Sequence, residues 1–276
     1  MTNLGKITRC EVRVVHLARA TGRRTLMEAE LTRVGITADG WDAVDASEAA
    51  NAQRLTTIPN NGAWGPMHGH AKGCLASHLD ALEAFLQGNA SHLLMLEDDV
   101  FLADDLANWI KGDYWPQGAD VLKLERWRDD RLKIVLDRRA QSYTNRHIHR
   151  LRSRHSGSAG YIITRAGAQI VLSSGLLSLP VDHLLFNPFV SPVARRLETY
   201  QVTPALIVQG NEPVVKSTGI GRKSRKSLGH KLQRLVAALA VLRQVPRLVL
   251  GSAYLTSVTW RSNGQSGPET QHIPKG

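Results

Sequence analysis

Residues Leu93 to Val100 read Leu-Leu-Met-Leu-Glu-Asp-Asp-Val, an apolar run that stops at three consecutive carboxylates. A run this short and this apolar predicts a buried strand. Adjacent like charges at its end repel one another and are costly to desolvate unpaired. A hard divalent cation such as Mg²⁺ or Mn²⁺ relieves that cost by taking carboxylate oxygens. In an α/β sheet the carboxyl end of a strand is also where ligands usually bind. The competing reading is a solvated acidic turn that caps the next helix, a task that also suits Asp104 and Asp105.

Strand-like and helix-like segments alternate over the first 212 residues. Glu11 to Leu17 predicts a strand and Thr21 to Val34 a charged helix; Ser77 to Leu86 predicts a helix that stops at Gly88-Asn89. His92–Leu96, Ala119–Leu124, Gly160–Thr164 and Ala205–Val208 read as further short strands, and Ala166–Leu172 as a helix. Such alternation predicts an α/β fold: parallel βαβ units in a mostly parallel sheet flanked by helices. With 276 residues, 42% of them hydrophobic, the chain has material for one large domain or a domain with an appendage.

Charge marks a boundary. From Pro213 to Pro268 there is no acidic residue, and ten basic ones account for ten of the net +11 charges. Residues 1–212 therefore read as a nearly neutral body and 213–276 as a basic tail. In the tail, Leu228, Leu232, Leu235, Leu239 and Leu242 recur at helical spacing opposite Lys231 and Arg234, and Pro246 is expected to close the helix. A basic amphipathic helix suits an anionic membrane surface; packing of its Leu stripe on the body is the alternative. Two cysteines, Cys10 and Cys74, are too few for a disulfide framework and are read as small buried residues in a reducing compartment. There is no apolar signal core and no run of 18 apolar residues, so the expected location is cytoplasmic, peripheral on the inner face of a bacterial membrane.

Several segments, in matching order over roughly residues 10–210, resemble glycosyltransferase family 25, the lipopolysaccharide and collagen galactosyltransferase group. They are the opening strand with Leu17-Ala18-Arg19 and Arg23-Arg24, then Ala43-Val44-Asp45-Ala46, Gly73-Cys74-Leu75-Ala76-Ser77-His78-Leu79 and Leu96-Glu97-Asp98-Asp99-Val100. Gly157-Ser158-Ala159-Gly160-Tyr161-Ile162-Ile163-Thr164 with Gly167-Ala168, and Pro180-Val181-Asp182, complete the set. Where members often carry Gly-Glu-Ile, His70-Ala71-Lys72 stand here, so a carboxylate is missing. The resemblance implies a GT-A-like, metal-dependent, inverting enzyme that moves a hexose, galactose above all, from a UDP-sugar to a saccharide or glycolipid acceptor such as lipopolysaccharide core.

Breaking a sugar–diphosphate bond requires neutralising charge on the leaving phosphates, which a divalent ion does directly. With the resemblance, Asp99 is assigned to the metal (Mn²⁺ or Mg²⁺) and Glu97 to metal and donor, while Asp98, on the opposite side of an extended strand, is structural. Arg19 and Arg23 follow the first strand, where a guanidinium pairs bidentately with a phosphate; the alternative, stronger for Arg24, is pairing with Glu28 and Glu30 on a solvated helix face. Ser77 and His78 are assigned to the donor, against readings as an N-cap and a satisfied buried histidine. His68 and His70, in an expected loop, make a weak metal pair. Asp182, a carboxylate among apolar neighbours, is the candidate base, with helix capping as its rival.

Between Lys123 and Arg154 eleven basic residues face four acidic ones, which reads as a solvated surface stretch, with acceptor binding as a secondary role. Two other function classes fit less well. A nucleic-acid-binding protein explains the pI near 10, yet no recognised module or stacking-aromatic pattern is present. A metal-dependent phosphohydrolase needs more His and Asp ligands spread over several strand ends.

Overall fold

The computed structural model describes residues 7, 9–41, 43–112, 114–128, 132–175, 178–210 and 239–262, and the statements below concern these. β1 (Cys10–Val15), α1 (Thr21–Arg33) and β2 (Gly40–Trp41) form a parallel βαβ opening. A 3-10 turn, α2 (Ala52–Thr56) and the ribbon β3 (Asn61–Gly62) with β4 (Gly65–Pro66) lead to the long helix α3 (Gly69–Gln87) and then β5 (His92–Glu97). β6 (Val100–Leu102), α4 (Leu106–Lys111), β7 (Val121–Lys123) and β8 (Glu125–Arg126) follow, then the hairpin β9 (Ile134–Tyr143) and β10 (Arg146–Leu151). Next come β11 (Gly160–Thr164), α5 (Arg165–Leu172), α6 (Val181–Phe186), α7 (Pro192–Arg196), β12 (Thr199–Thr203) and β13 (Ile207–Gln209). Beyond residue 238 lie a 3-10 turn (Ala240–Gln244), α8 (Val245–Val249) and β14 (Ala253–Thr256).

The central sheet has the order β14-β9-β10-β12-β7-β11-β5-β1-β2. β2, β1, β5, β7 and β12 run in one direction, with β11 alone reversed among them. The α/β fold with a mostly parallel sheet is therefore as expected, and an antiparallel wing, β10-β9-β14, extends it. A small second sheet, β6-β13-β8, sits beside the acidic strand end. The apolar run of β5 is buried on both faces because helices cover both. Leu94 and Leu96 pack with Val12, Met27, Leu31 and Trp109; Leu93 and Met95 pack with Leu82, Phe85, Val171 and Leu184. Each such side chain contributes about 1.5–3 kcal/mol on burial, so this strand is firmly fixed and its end is a rigid platform.

Three expectations change. The basic stretch 123–154 is not a solvated loop: it contains the end of β7 with β8, β9 and β10, and Arg146 is fully buried, bridged to Asp105 at 2.5 and 2.8 Å. Ile148 and Leu151 face the core, but Arg146 and His149 are buried with them, so charge at inward positions hid the strand pattern. Ser77 does not cap a helix, because α3 begins eight residues earlier, with His68 at the N-cap and His70 inside the first turn rather than in a loop. Pro246 does not close a helix but stands in the first turn of α8, where its missing N–H breaks no bond. Most of the amphipathic segment 228–245 lies outside the described residues. Of the tail, β14 pairs with β9 and Trp260 is buried against Val208 and Leu136. Among the described residues no helix is long and apolar enough to cross a membrane.

Candidate active site

A cavity of about 400 Å³ opens at the carboxyl ends of β1 and β5. Its walls come from the turn after β1, the Ala43–Ser47 segment, the first half of α3, and the Glu97-Asp98-Asp99 triplet. Parallel neighbours end here together, so the polar ends of the strands face one space.

The triplet divides its labour. Glu97 is the last residue of β5, and its N–H donates to Ala159 O at 3.0 Å. Asp98 turns away and is buried against Arg23 (3.0 Å) and His16 Nδ1 (2.7 Å), which satisfies a structural carboxylate. Asp99 turns back: the side-chain amide of Gln209 donates to Glu97 Oε2 and to Asp99 Oδ1, each at 3.3 Å. Arg128 lies 3.3 Å from Asp99 and donates through Nε to Gln209 Oε1 at 3.0 Å. Burial and the neighbouring Glu97 charge push the Asp99 carboxyl up to about 6, with Arg128 and Arg23 opposing. Burial also acts on Glu97, but His78, the Ser158 hydroxyl and Lys123 outweigh it and hold that carboxyl below its usual range. Glu97 thus carries the standing charge of the pair and Asp99 the last proton.

One loop ties the rest of the site together. Gly157 stands at φ +83°, and its carbonyl accepts from Lys123 Nζ at 2.6 Å while its N–H points to Asp182 Oδ2 at 3.4 Å. The next hydroxyl, Ser158 Oγ, donates to Glu97 Oε1 at 2.9 Å, and Ala159 N donates to Glu125 Oε2 at 3.0 Å. Beneath the loop Lys123 and Glu125 form a fully buried pair at 2.9 Å. Burial pushes Glu125 up to about 7 against the pull of Lys123. Asp182 sits in the first turn of α6, where His183 N donates to Oδ1 at 2.8 Å; the other oxygen faces the Gly157 loop. The structure therefore brings Asp182 and Glu97 onto neighbouring residues of the same loop.

The remaining candidates are placed as follows. Arg19 lines the cavity, half exposed, and is paired with Asp45, whose carboxyl that guanidinium and Ser47 hold well below the usual range. Arg23 lines the cavity while gripping Asp98, and Arg24 pairs outward with Glu28 at 2.8 Å. Ser77, inside α3, donates to Gly73 O and accepts from Val44 N, both at 2.7 Å, so it clamps the cavity wall. His78 is buried, hydrogen-bonded through Nδ1 to the Tyr161 hydroxyl at 2.9 Å, with Nε2 3.8 Å from Glu97.

Two donor sets suggest themselves for a metal. Cys74, His78 and Glu97 offer atoms within 4.8 Å of one another. Burial and the surrounding carboxylates push the Cys74 thiol well above its ordinary value. Glu97 and Asp99 are oxygen donors whose mutual repulsion a cation would relieve, so the donor chemistry fits a hard divalent ion there. Sequence reasoning passed over Gln209, Arg128, Lys123, Glu125 and Asp45 as site residues. Gln209 and Arg128 carry no local signature; the strand pattern around Lys-Leu-Glu at 123–125, with alternate residues both charged and facing one side, was the available signal for the buried pair.

Residues 10–185 match the family profile described as glycosyltransferase family 25 (LPS biosynthesis protein). The lacto-N-neotetraose biosynthesis glycosyltransferase LgtE of Neisseria gonorrhoeae is 28% identical over 207 residues, 71% of this chain and 72% of that protein. The lipooligosaccharide biosynthesis protein lic2B of Haemophilus influenzae is 26% identical over 252 residues, 87% of this chain and 93% of that one. Among solved structures, a glycosyltransferase involved in glycosylation of the major capsid of PBCV-1 aligns over 82% of this chain and 99% of that one, with a TM-score of 0.37 and 11% identity. On the profile match, which spans well over half its length, this chain belongs to glycosyltransferase family 25.

Proposed function

We propose that this glycosyltransferase moves a hexose, galactose in the first instance, from a UDP-sugar to a saccharide acceptor of lipopolysaccharide core or another surface glycan, with inversion. The observation that carries this reading is the Glu97–Asp99 pair, bridged by one amide in a cavity at the strand ends. These two carboxylates would hold Mn²⁺ or Mg²⁺, which when bound supplies positive charge against the donor diphosphate. Arg19, which lines the cavity, is the candidate to meet a phosphate oxygen, while Arg23 is held at the wall by Asp98. Ser77 and His78 shape the donor side, His78 also supporting the charge of Glu97.

Asp182 acts as base. The acceptor hydroxyl oxygen forms a bond to the anomeric carbon from the face opposite the phosphate, its proton passes to an Asp182 oxygen, and the bond from carbon to the diphosphate breaks to release UDP. The hydrogen bond from His183 N fixes one oxygen of Asp182 and aims the carboxylate. The relatives named for lipooligosaccharide and lacto-N-neotetraose biosynthesis support the acceptor class. The basic tail is read as the means by which the chain meets the anionic cytoplasmic face of a membrane. A thermal-shift screen of nucleotide sugars with Mn²⁺, followed by NMR of the product linkage, tests the reading. Stabilisation by UDP-galactose and transfer with inverted anomeric configuration are expected; hydrolysis without transfer, or retention, overturns it.

A further inference from the structure

A second cavity, of about 250 Å³, shares no lining residue with the acidic one. It lies between the end of β10, which supplies Arg150 with Arg152 just beyond it, α7, which supplies Arg195, and the C-terminal segment, which supplies Arg243 and Arg247. Among the described residues no carboxylate lines it. The nearest countercharges are spoken for: Asp137 is gripped by Arg152 at 2.6 to 2.9 Å, and Glu198, half exposed, is paired with Arg150. Arg150 Nε and Thr199 Oγ1 are both buried in this region without a hydrogen-bond partner. Burial and the Arg152 charge push the Arg150 pKa down, against the pull of Tyr200 and Asp137. Arg150 and Arg152 have these carboxylate partners, but Arg195, Arg243 and Arg247 bring three further guanidinium groups to the same hollow, and planar forks match phosphate oxygens best.

The size narrows the ligand. Pockets for whole small molecules run about 300–1,000 Å³, so this one takes a charged group rather than an entire ligand. The flank narrows it further. Leu239, Leu242, Val249 and Leu250 are 53%, 57%, 79% and 82% exposed on the same segment as Arg243 and Arg247. Exposed apolar side chains interleaved with arginines match a bilayer interface better than a freely soluble anion.

We propose that the arginine cavity is a phosphate site for the headgroup of an anionic lipid, reached across the exposed Leu239–Leu250 ridge. This rests on the membrane reading above and gives it a specific place in the fold.

The test uses the full chain and vesicles of phosphatidylcholine alone or mixed equally with phosphatidylglycerol. Three proteins are compared: the wild type, the triple variant Arg195→Gln/Arg243→Gln/Arg247→Gln, and a variant with Arg222, Lys223, Arg225 and Lys226 all changed to Gln. The wild type should bind the anionic vesicles selectively, and the triple variant should lose affinity on the order of 10²-fold. Inorganic phosphate should compete more strongly than chloride at equal ionic strength. UDP binding should stay unchanged in every protein. Should the triple variant lose its fold, Arg243→Gln alone keeps the test alive: its side chain is exposed with no polar partner among the described residues, and a loss of about fivefold is expected. If the arginine variants bind like wild type while the 222–226 variant does not, the cavity proposal fails and the membrane reading stands. If wild type binds phosphate but not anionic vesicles, the lipid assignment is overturned. Equal binding to both kinds of vesicle, or to neither, removes both.

Discussion

The two carboxylates of the acidic triplet that face the cavity differ in their grip on a proton, and this sets the pH behaviour of the site. Asp99 keeps its proton up to about 6, against an ordinary value of 3.8, so below that pH a proton competes with a cation. Cation-dependent UDP binding should therefore weaken as pH falls below 6, by roughly tenfold per unit, in a calorimetric titration series. The stability sign is opposite. Between pH 3.8 and about 6 the folded chain holds more protons at this site than the unfolded one, so Asp99 makes stability decline as pH rises across that window. Asp99→Asn should remove that slope, leave the fold intact and abolish cation-dependent UDP binding; unchanged affinity in the folded variant would sink the metal assignment. Asp182→Asn should lower kcat by about 10²-fold or more with donor affinity little changed, because a base acts in the transition state. Near-normal turnover would reduce Asp182 to a helix-terminal contact. At this scale the sequence was informative where chemistry is dense: three carboxylates after an apolar run stand out. Gln209 does not, since its role exists only once β13 lies beside β5's end.

Between residues and fold, the loop from Gly157 to Ala159 is the connecting element. Its backbone and one hydroxyl touch Lys123, Asp182, Glu97 and Glu125, so the two candidate site carboxylates and the buried pair share one support. Gly157 has no substitute here. Its φ of +83° suits glycine, and a Cβ would stand 2.2 Å from Glu125 Oε1. Gly157→Ala should cost on the order of 1–3 kcal/mol and lower turnover together with melting temperature. Thermal unfolding and steady-state kinetics on one preparation would show it; a fall in stability with full activity would mean that the loop does not position the site. β5, β11 and α5 were legible in sequence to within a residue or so, because their apolar faces are long and unbroken. The β9–β10 hairpin was not, because β10 buries Arg146 and His149 beside Ile148 and Leu151, and Asp137, Arg138 and Arg139 interrupt the apolar run of β9. Ser77 misled for a different reason: a serine before an apolar run looks like a cap, whereas here its hydroxyl bonds back to Gly73 O inside the helix.

For the molecule as a whole, net charge was a good guide to a change in character and a poor guide to a structural border. The body resembles what a neutral α/β enzyme needs, and the excess charge does lie beyond residue 212. Yet β14 completes the sheet against β9, Val258 and Trp260 fill a core with Leu136 and Val208, and the Arg261 carbonyl accepts from buried Arg146 at 3.0 Å. Deleting residues 213–276 should therefore lower the melting temperature markedly, while charge-neutralising changes confined to 222–234 should leave it unchanged. Differential scanning calorimetry separates the two, and a fully stable truncation would show that the late strand is dispensable. Composition registers charge but not pairing, so a strand of four residues, Ala-Tyr-Leu-Thr, inside a basic tail left no mark. Its lateness in the chain carries a consequence during synthesis. Until the ribosome has released residues near 256, the outer backbone of β9 from Ile134 to Asp137 has no native partner and is open to neighbouring nascent chains. A protease cut or stop codon a few dozen residues short of that point would leave the same groups bare, so loss of the final segment should appear as inclusion bodies in the producing cell before it appears as lost activity.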